Sequence, residues 1–343
     1  MSAETRERVL EAIRVLGYRP GVAPAVAAAR RPRTIGVFLY FWVSEETPFR
    51  SNPYAVEMLD GILSHTLPRH WNVTLINVDT WEDARFQLRE SADGRCDGFV
   101  LVAPTDYQNI TEALQERGYP FVLVNAGSGD PQLNSVDIDN AAAAREVTAG
   151  LIGLGHRRIA FLPGDEELEN TVERLRGFRE AFADAGLTDP DRWILRPGSY
   201  ADAQSIERVH QFLDERAGRH EEERPHALIC GNDLLARLAY GVLRERGIRI
   251  PEEMSVIGFD DLPFAAEMTP PLTTLRQPLR QLAARATERL LDRLAEIDEA
   301  GKVGGAVGAS PVPVTEFLPY ELVLRGSVAA RPGSDAYGSS ITA

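Results

Sequence analysis

The feature that most constrains the fold is a regular alternation of short apolar runs with amphipathic helical patterns, beginning at Thr34. Apolar runs of strand length lie at Ile35–Tyr40, Val73–Val78, Gly98–Val102, Phe121–Val124, Arg158–Leu162, Trp193–Arg196, Ala227–Cys230 and Ser255–Phe259. Helical patterns lie between most of them, at Tyr54–His65, Ala141–Leu154, Val172–Ala185, Ala203–Arg216 and Leu234–Arg246, and later at Leu279–Leu294 before a last strand at Glu321–Leu324. Buried strands that alternate with helices predict βαβ units, and therefore an α/β fold with parallel sheets.

Chain length and charge add two further constraints. With 343 residues, 44% of them hydrophobic, the chain is long enough to bury two cores, so two lobes are expected. The net charge of −14 argues against nucleic-acid binding by the chain as a whole. Residues 1–33, however, contain seven arginines and three glutamates. This basic arm fits either a DNA-contacting headpiece or a flexible basic tail.

Cysteine usage and the amino terminus indicate a cytoplasmic protein. Cys96 and Cys230 are the only cysteines, and they form no CxxC pair, so neither a disulfide framework nor a zinc site is predicted. The first residues are charged and include no apolar signal-peptide region, and no run of 18 apolar residues occurs. We therefore expect no membrane contact. An exported solute-binding protein, which needs an export signal, is the least favoured class.

Sequence motifs typical of enzymes are missing. The chain contains no GxxxxGK[ST], GxSxG or HExxH motif, and no GxGxxG after a strand. Asp260 and Asp261 are paired carboxylates, but adjacent residues point in different directions and no second catalytic partner lies at a suitable spacing. We predict no catalytic residue, no cofactor and no metal, and hence a protein that is not an enzyme.

Several polar and aromatic residues follow the predicted strands, where the carboxyl ends of a parallel sheet form a ligand cleft. The candidate ligand-binding residues are Arg174, Asn232, Asp260, Asn125, Tyr200 and Tyr54. Carboxylate, amide, guanidinium and aromatic groups together suit a polyol, which offers hydroxyl pairs and an apolar C–H face. The alternative is that these residues only cap helices. Gly258 is expected where the strand Ser255–Phe259 leaves the sheet.

These sequences, in their order and spacing, resemble the LacI (lactose-repressor) family of transcription regulators over residues 1 to 327. The matching stretches are SAETRERVLEAIRVLGYRP (2–20), TIGV (34–37), CDGFVLVAP (96–104), VDIDN (136–140), GHRRIAF (155–161), RLRGF (174–178), the block 250–274 that contains IPEEMSVIGFDD, and LPYELVLRGS (318–327). The resemblance implies a periplasmic-binding-protein-like (type I) core of two Rossmann-like lobes, a homodimer, and a small effector between the lobes.

The resemblance also implies effector contacts at Arg174, Asn232 and Asp260, and further contacts at Asn125, Tyr200 and Tyr54. Asn125 replaces an acidic residue that is common at this position in the family. The predicted organisation is a headpiece remnant (1–20), a hinge (21–33), an N-terminal lobe (34–138 and 265–298), a C-terminal lobe (139–264 and 314–327) and a disordered tail (328–343).

The headpiece and hinge depart from the family pattern. The matching sequence starts at what would be the third helix of a helix-turn-helix headpiece, so the DNA-reading helix is missing. A start codon assigned too far downstream and a genuine loss of DNA binding are both compatible with this. In the hinge, Val26 and Ala27 stand at the candidate DNA-contacting positions, and Ala27 is a smaller minor-groove wedge than the usual leucine.

The leading prediction is a cytoplasmic LacI-type transcription regulator, expected to be a repressor, whose core binds a sugar and controls operator binding. The alternative is a stand-alone cytoplasmic sugar sensor that does not bind DNA.

Overall fold

In this computed structural model, the chain folds into two sheets of mainly parallel strands, with helices packed against them. The structure describes residues 33–39, 52–77, 95–104, 107–127, 132–195, 203–217, 224–303 and 314–331. The strands are β1 Thr34–Leu39, β2 Asn72–Asn77, β3 Gly98–Val102, β4 Phe121–Val124, β5 Ser135–Asp137, β6 Ile159–Leu162, β7 Ala227–Cys230, β8 Ser255–Asp260, β9 Thr273–Arg276, β10 Thr315–Phe317 and β11 Glu321–Val323. The α-helices are α1 Pro53–Thr66, α2 Tyr107–Glu116, α3 Asn140–Gly153, α4 Glu169–Asp184, α5 Ala203–Ala217, α6 Asp233–Glu245 and α7 Leu279–Val303.

The sheets confirm the predicted α/β class. The first sheet has the strand order β10-β5-β4-β3-β1-β2 and the second has the order β11-β9-β8-β7-β6. All pairings are parallel except that of β11 with β9. Every residue of β1, β3 and β8 is buried, as expected for strands covered on both faces. We call the two units the first lobe and the second lobe.

The chain crosses between the lobes three times. It passes from the first lobe to the second after β5 and returns to the first lobe between β9 and α7. It crosses a third time between β10, which lies in the first sheet, and β11, which lies in the second. The predicted lobe limits differ from this arrangement. Residues 265–298 were assigned to the N-terminal lobe, yet β9 pairs with β8 in the second sheet. Residues 314–327 were assigned to the C-terminal lobe, yet β10 pairs with β5 in the first sheet. Apolar patterning identifies a strand but not the sheet that it joins.

One predicted strand is wrong. The segment predicted as the strand Trp193–Arg196 contains the end of a short 3-10 helix, Pro190–Trp193, followed by a single parallel bridge between Ile194 and Phe161. Trp193 and Leu195 bury their side chains against the second lobe, which explains the apolar signal. The predicted amino-terminal helix, the hinge with Val26 and Ala27, and Tyr200 lie outside the described residues.

A close helix crossing fixes α4 on the second lobe. Gly177 lies where α4 crosses α3, and a Cβ atom at this position would lie 2.0 Å from the carbonyl oxygen of Ala141. Only glycine permits this approach. Phe178 continues the contact towards the sheet, with its ring centroid 5.2 Å from that of Phe161. The crossing thereby sets the position of Arg174, one turn earlier on the same helix.

A buried histidine pair holds the carboxyl-terminal segment against the second lobe. His156 Nδ1 lies 3.0 Å from His226 Nδ1, and His156 Nε2 lies 3.0 Å from the carbonyl oxygen of Ala329. Because a carbonyl only accepts, Nε2 of neutral His156 donates to it, and Nδ1 then accepts from His226. Ser255 Oγ accepts from the amide of Ala329 at 3.1 Å. Residue 329 is thus firmly bonded, although the sequence placed it in a disordered tail.

Both histidines are held in the neutral form. Burial lowers the pKa of His156 to about 4 and that of His226 to about 3, and the nearby charges of Arg157 and Arg331 act in the same direction.

Within the described residues, no helix is long and apolar enough to span a membrane.

We predict that the histidine pair makes stability depend on pH. A histidine with a lower pKa in the folded state binds fewer protons there, so the free energy of unfolding falls as the pH drops below the ordinary value of 6.5. His226→Asn keeps a hydrogen-bond donor but removes the titrating ring. In urea unfolding between about pH 7 and pH 5, the wild-type protein should lose more stability than the variant. Buried carboxylates affect both proteins alike, so equal slopes would contradict the role of the pair.

Candidate ligand-binding site

Polar side chains from both lobes meet at the carboxyl ends of the two sheets. Asn125 follows β4 and Asp137 ends β5 in the first sheet, while Asn232 follows β7 and Asp260 ends β8 in the second. The lobes touch here, because Asn170 Nδ2 on α4 donates to the carbonyl oxygen of Asn125 at 3.4 Å. This is the edge at which α/β sheets bind ligands.

On the first lobe, Tyr54 and Asn125 form a buried pair. Asn52 caps α1 by accepting a hydrogen bond from the amide of Ala55 at 3.2 Å, which places Tyr54 in the first turn of the helix. Asn125 Nδ2 donates to the Tyr54 hydroxyl. Asn125 has a φ of 54°, a left-handed conformation that asparagine tolerates better than most residues. Burial, reinforced by Asp260 and Asp137, raises the pKa of Tyr54, so its hydroxyl stays protonated.

A relay of hydrogen bonds orients Arg174. Asp137 accepts from the amides of Gly127 and Ile138, both at 2.7 Å, and from Asn140 Nδ2 at 3.1 Å. Asn140 Oδ1 in turn accepts from Arg174 Nε at 2.9 Å. Asp137, at the end of a strand of the first lobe, thus fixes a guanidinium of the second lobe through one amide.

The guanidinium of Arg174 is also held from the second lobe. Its Nη1 donates to the carbonyl oxygen of Gly231, and its Cζ lies 4.5 Å from the ring centroid of Phe259. The residue is 4% exposed, and Nη2 has no hydrogen-bond partner. A fixed, stacked guanidinium with one remaining donor group is suited to receive a polar ligand.

The two adjacent aspartates have different roles. Asp260 is 5% exposed, accepts a hydrogen bond from Gln277 Nε2 at 2.6 Å, and interacts with the charge of Arg174. Burial raises the pKa of its carboxyl group. Asp261 instead forms ion pairs with Arg276 at 2.8 Å and Arg325 at 2.6 Å. Asp260 therefore belongs to the cleft, and Asp261 links β9 to the segment that follows β11 through its two ion pairs.

Asn232 acts at least in part as a helix cap. Its Oδ1 accepts from the amide of Leu235 at 3.0 Å, which leaves the amide nitrogen for a ligand. Asp233 is fully buried and accepts from Thr274 Oγ1 at 2.7 Å and from the amide of Leu262 at 2.8 Å. Gly258 lies within β8, where a Cβ atom would come 2.1 Å from Asp233 Oδ1. The expectation that the strand leaves the sheet at Gly258 is therefore wrong: this glycine makes room for a carboxylate.

Among the described residues around the cleft, four buried polar atoms have no hydrogen-bond partner. They are Asn125 Oδ1, Asn170 Oδ1, Arg174 Nη2 and Gln277 Oε1. Leaving a buried polar group unpaired costs about 1–3 kcal/mol, so several in one place call for an explanation. Each belongs to a residue bonded to, or in charge contact with, another residue of the cleft. A polar ligand that pairs with them accounts for the cluster.

The structure brings four of the six sequence-predicted residues together: Tyr54, Asn125, Arg174 and Asp260. Asn232 adjoins them next to Gly231, and Tyr200 lies outside the described residues. Sequence reasoning missed Asp137, Asn140, Asn170 and Gln277. Asp137 and Asn140 lie in the VDIDN stretch, which was noted for its family resemblance but not as part of the site. Within the described ranges, no three His, Cys, Asp or Glu side chains gather as a metal site would require.

The different roles of the adjacent aspartates predict opposite effects on stability. Asp260→Asn removes a buried charge and keeps an acceptor for Gln277, so the free energy of unfolding should stay unchanged or rise. Asp261→Asn weakens ion pairs to Arg276 and Arg325, and it should lower the free energy of unfolding by about 1–2 kcal/mol. Urea unfolding without ligand measures both. Equal destabilisation by the two substitutions would be inconsistent with the assignment of Asp260 to the cleft.

Comparisons with known proteins agree with this architecture. Residues 148–328 match the family of periplasmic binding protein-like domains. The chain is 31% identical over 301 residues to the HTH-type transcriptional repressor PurR of Aliivibrio fischeri (strain MJ11), which covers 87% of this chain and 86% of that protein.

Two solved structures show the same fold. The transcriptional regulator CelR in complex with cellobiose has a TM-score of 0.74 and 27% identity, and the match covers 95% of this chain and 91% of that one. A regulatory protein of the LacI family from Chloroflexus aggregans has a TM-score of 0.69 and 28% identity, with 87% and 99% covered. The relatives are transcription regulators and not enzymes. The chain belongs to the LacI family of ligand-responsive transcription regulators and carries its periplasmic-binding-protein-like effector core.

Proposed function

We propose that this chain is a cytoplasmic repressor of the LacI family whose lobes close on a small polar effector, a sugar, at the cleft around Arg174 and Asp260. The cluster of four buried polar atoms without partners is the observation that carries the proposal. It is supported by the likeness to a regulator solved with cellobiose.

The cleft has the groups that a sugar needs. The Asp260 carboxylate would accept from a pair of hydroxyls, Arg174 Nη2 would donate to a ring or hydroxyl oxygen, and Asn125 Oδ1 would accept from a further hydroxyl. The Tyr54 ring supplies an aromatic surface. Asn232 Nδ2 is a further donor, and Tyr200 remains a predicted contact.

The two-lobe arrangement supports the proposed control of operator DNA. The atoms proposed to bind the sugar lie on both lobes, so the sugar binds more tightly when the lobes are close together. A ligand shifts a conformational equilibrium only by such a difference in affinity. Residues 21–33, the predicted hinge, lead directly into β1. Closure of the lobes would move this attachment point, and with it the DNA-contacting segment.

We predict that Arg174→Ala weakens sugar binding by at least about ten-fold, because the ligand loses a charge-assisted hydrogen bond in a desolvated cleft. The ligand is found by a thermal-shift screen of mono- and disaccharides, including ribose and cellobiose, and its affinity is measured by calorimetry. Arg176→Ala, on the same helix but in an exposed ion pair with Glu180, is the matched control. Equal affinities of the Arg174 variant and the control would refute the site.

The regulatory half of the proposal is tested on DNA. Duplexes are selected from a random-sequence pool with this chain and with a form extended upstream of Met1, and their affinity is measured with and without the sugar. The proposal requires the sugar to change DNA affinity in wild type and in the Arg176 control but not in Arg174→Ala. Sugar binding without selection of any duplex would favour the alternative, a stand-alone sugar sensor.

We further propose that the protein forms a homodimer through an apolar face of the first lobe, which we call the α1 face. Val56, Leu63 and Leu67 are 45%, 36% and 64% exposed and follow one side of α1 into the next turn. Leu75, on the edge strand β2, is 46% exposed. Exposed large apolar side chains on one face mark an interaction surface, and dimers are typical of the family.

The dimer proposal predicts that Leu67→Glu lowers the molecular mass in solution, because it buries a charge in the interface. Ile206→Glu, which changes a 42% exposed side chain on α5, should leave the mass unchanged. Sedimentation equilibrium distinguishes the two variants. A dimer that persists in Leu67→Glu would exclude the α1 face.

A further inference from the structure

The cleft holds more buried carboxyl groups than buried basic groups. Asp137, Glu173, Asp233 and Asp260 are each at most 5% exposed. Arg174 is the only arginine that is buried among the described residues. A ligand that enters this cleft therefore meets several carboxylates and one cation.

The protein already uses part of the single cation. Arg174 Nε donates to Asn140 and Nη1 donates to the carbonyl oxygen of Gly231, and Nη2 is the one nitrogen of the guanidinium that has no partner. A phosphate or carboxylate is normally held by two parallel donors of one guanidinium fork. With two of its five N–H groups bound to the protein, Arg174 is the single buried guanidinium, among the described residues, that could balance an added anion against several carboxyl groups.

The amino terminus of α4, one of the helices at the cleft, carries acidic side chains. Helix amino termini attract anions through their unpaired amides and dipole. In α4, however, the first turn carries Glu169, and Glu173 follows one turn later with its side chain buried. Burial raises the pKa of Glu169, the charge of Glu173 adds to the effect, and the charge of Arg176 opposes it.

The unpartnered atoms favour a ligand that donates hydrogen bonds. Three of the four are acceptors, namely Asn125 Oδ1, Asn170 Oδ1 and Gln277 Oε1. Asp260 has accepted only the hydrogen bond from Gln277, so its second oxygen can accept more. Hydroxyl or amino groups of a ligand would supply these donors, whereas a phosphate dianion would supply none.

We propose that the effector carries no phosphate or carboxylate group, and that the cleft selects uncharged or amino-bearing polyols over their phosphorylated forms. The inference rests on the proposed function and names the effector class of the same site. Asp260 is the selecting residue, because its carboxyl group lies beside Arg174 and would face an added anion.

The proposed selection predicts a change in protonation on binding. Burial raises the pKa of Asp137 to about 7, and the charge of Glu173 acts in the same direction, whereas the amides of Ile138 and Gly127 and the charge of Arg174 oppose the rise. Burial likewise raises the pKa of Asp260, beside Arg174, Asp233 and Tyr54. Hydroxyl donors stabilise an ionised carboxylate and lower its pKa, so an uncharged polyol should release protons on binding near neutral pH. A bound anion would raise these pKa values and take protons up.

The test compares each probe with its own phosphate ester. Calorimetry on the full chain measures ribose against ribose 5-phosphate, glucose against glucose 6-phosphate, cellobiose against cellobiose phosphate, and adenosine against its 5′-monophosphate. Each titration is run in two buffers with different ionisation enthalpies. At least one parent compound should bind more tightly than its ester by at least about ten-fold, with proton release.

The variant Asp260→Asn links selectivity to the carboxylate. It should narrow the affinity ratio between parent and ester, because one repelling charge is removed while an acceptor remains. Asp261→Asn removes the same charge one residue away, where it is paired with Arg276 and Arg325, and should leave the ratio unchanged.

The outcomes distinguish failure of the proposed selection against anions from failure of the proposed sugar-sensor function. An ester that binds more tightly than its parent, or equal ratios in wild type and Asp260→Asn, would overturn the selection against anions and leave the sensor function standing. No binding by any parent or ester would overturn the proposed sugar sensor and this inference with it.

Discussion

The cleft depends on the way in which Arg174 is held. Its guanidinium reaches Asn140 on one side and the carbonyl oxygen of Gly231 on the other, and it stacks on Phe259. Asn140 is itself fixed by Asp137, at the end of a strand in the other lobe. One side chain therefore couples the ends of β5, β7 and β8. A lysine could not replace it, because a single ammonium group cannot donate along several fixed directions and also stack on a ring.

The polar groups buried in the cleft lower the free energy of unfolding relative to a cleft in which every group is paired. Buried carboxylates with raised pKa values and polar atoms without partners are both unfavourable in the unliganded chain. Proteins tolerate such groups where binding later satisfies them, and the large apolar cores of the two lobes offset the cost. The same groups explain why a ligand would stabilise the closed arrangement: it supplies the missing hydrogen bonds, and it does so only when both lobes are in reach.

Much of the fold could be predicted from the sequence, because buried strands and amphipathic helices have distinct periods. The sheet membership of β9 and β10 could not, since strand pairing depends on contacts far along the chain. The site was predicted in part: Asn125 and Asp260 follow long apolar strands and stand out. Asp137, Asn140 and Gln277 did not stand out, because they lie at the crossings between the lobes, where the chain has no periodic pattern. Asn170 lies inside a helix, and only its depth in the cleft reveals its role.

The position of the crossings has a mechanical consequence. Asp137 and Gln277 lie at two of the three crossings, so a ligand bound beside them acts close to the axis about which the lobes turn. The predicted hinge joins the first lobe at Thr34, at the opposite end of β1, about 20 Å away for a strand of this length. If the lobe rotates as a rigid body about the crossings, a small rotation displaces Thr34 further than it displaces residues beside the crossings. In the proposed homodimer, this displacement would move the two predicted hinge segments relative to each other.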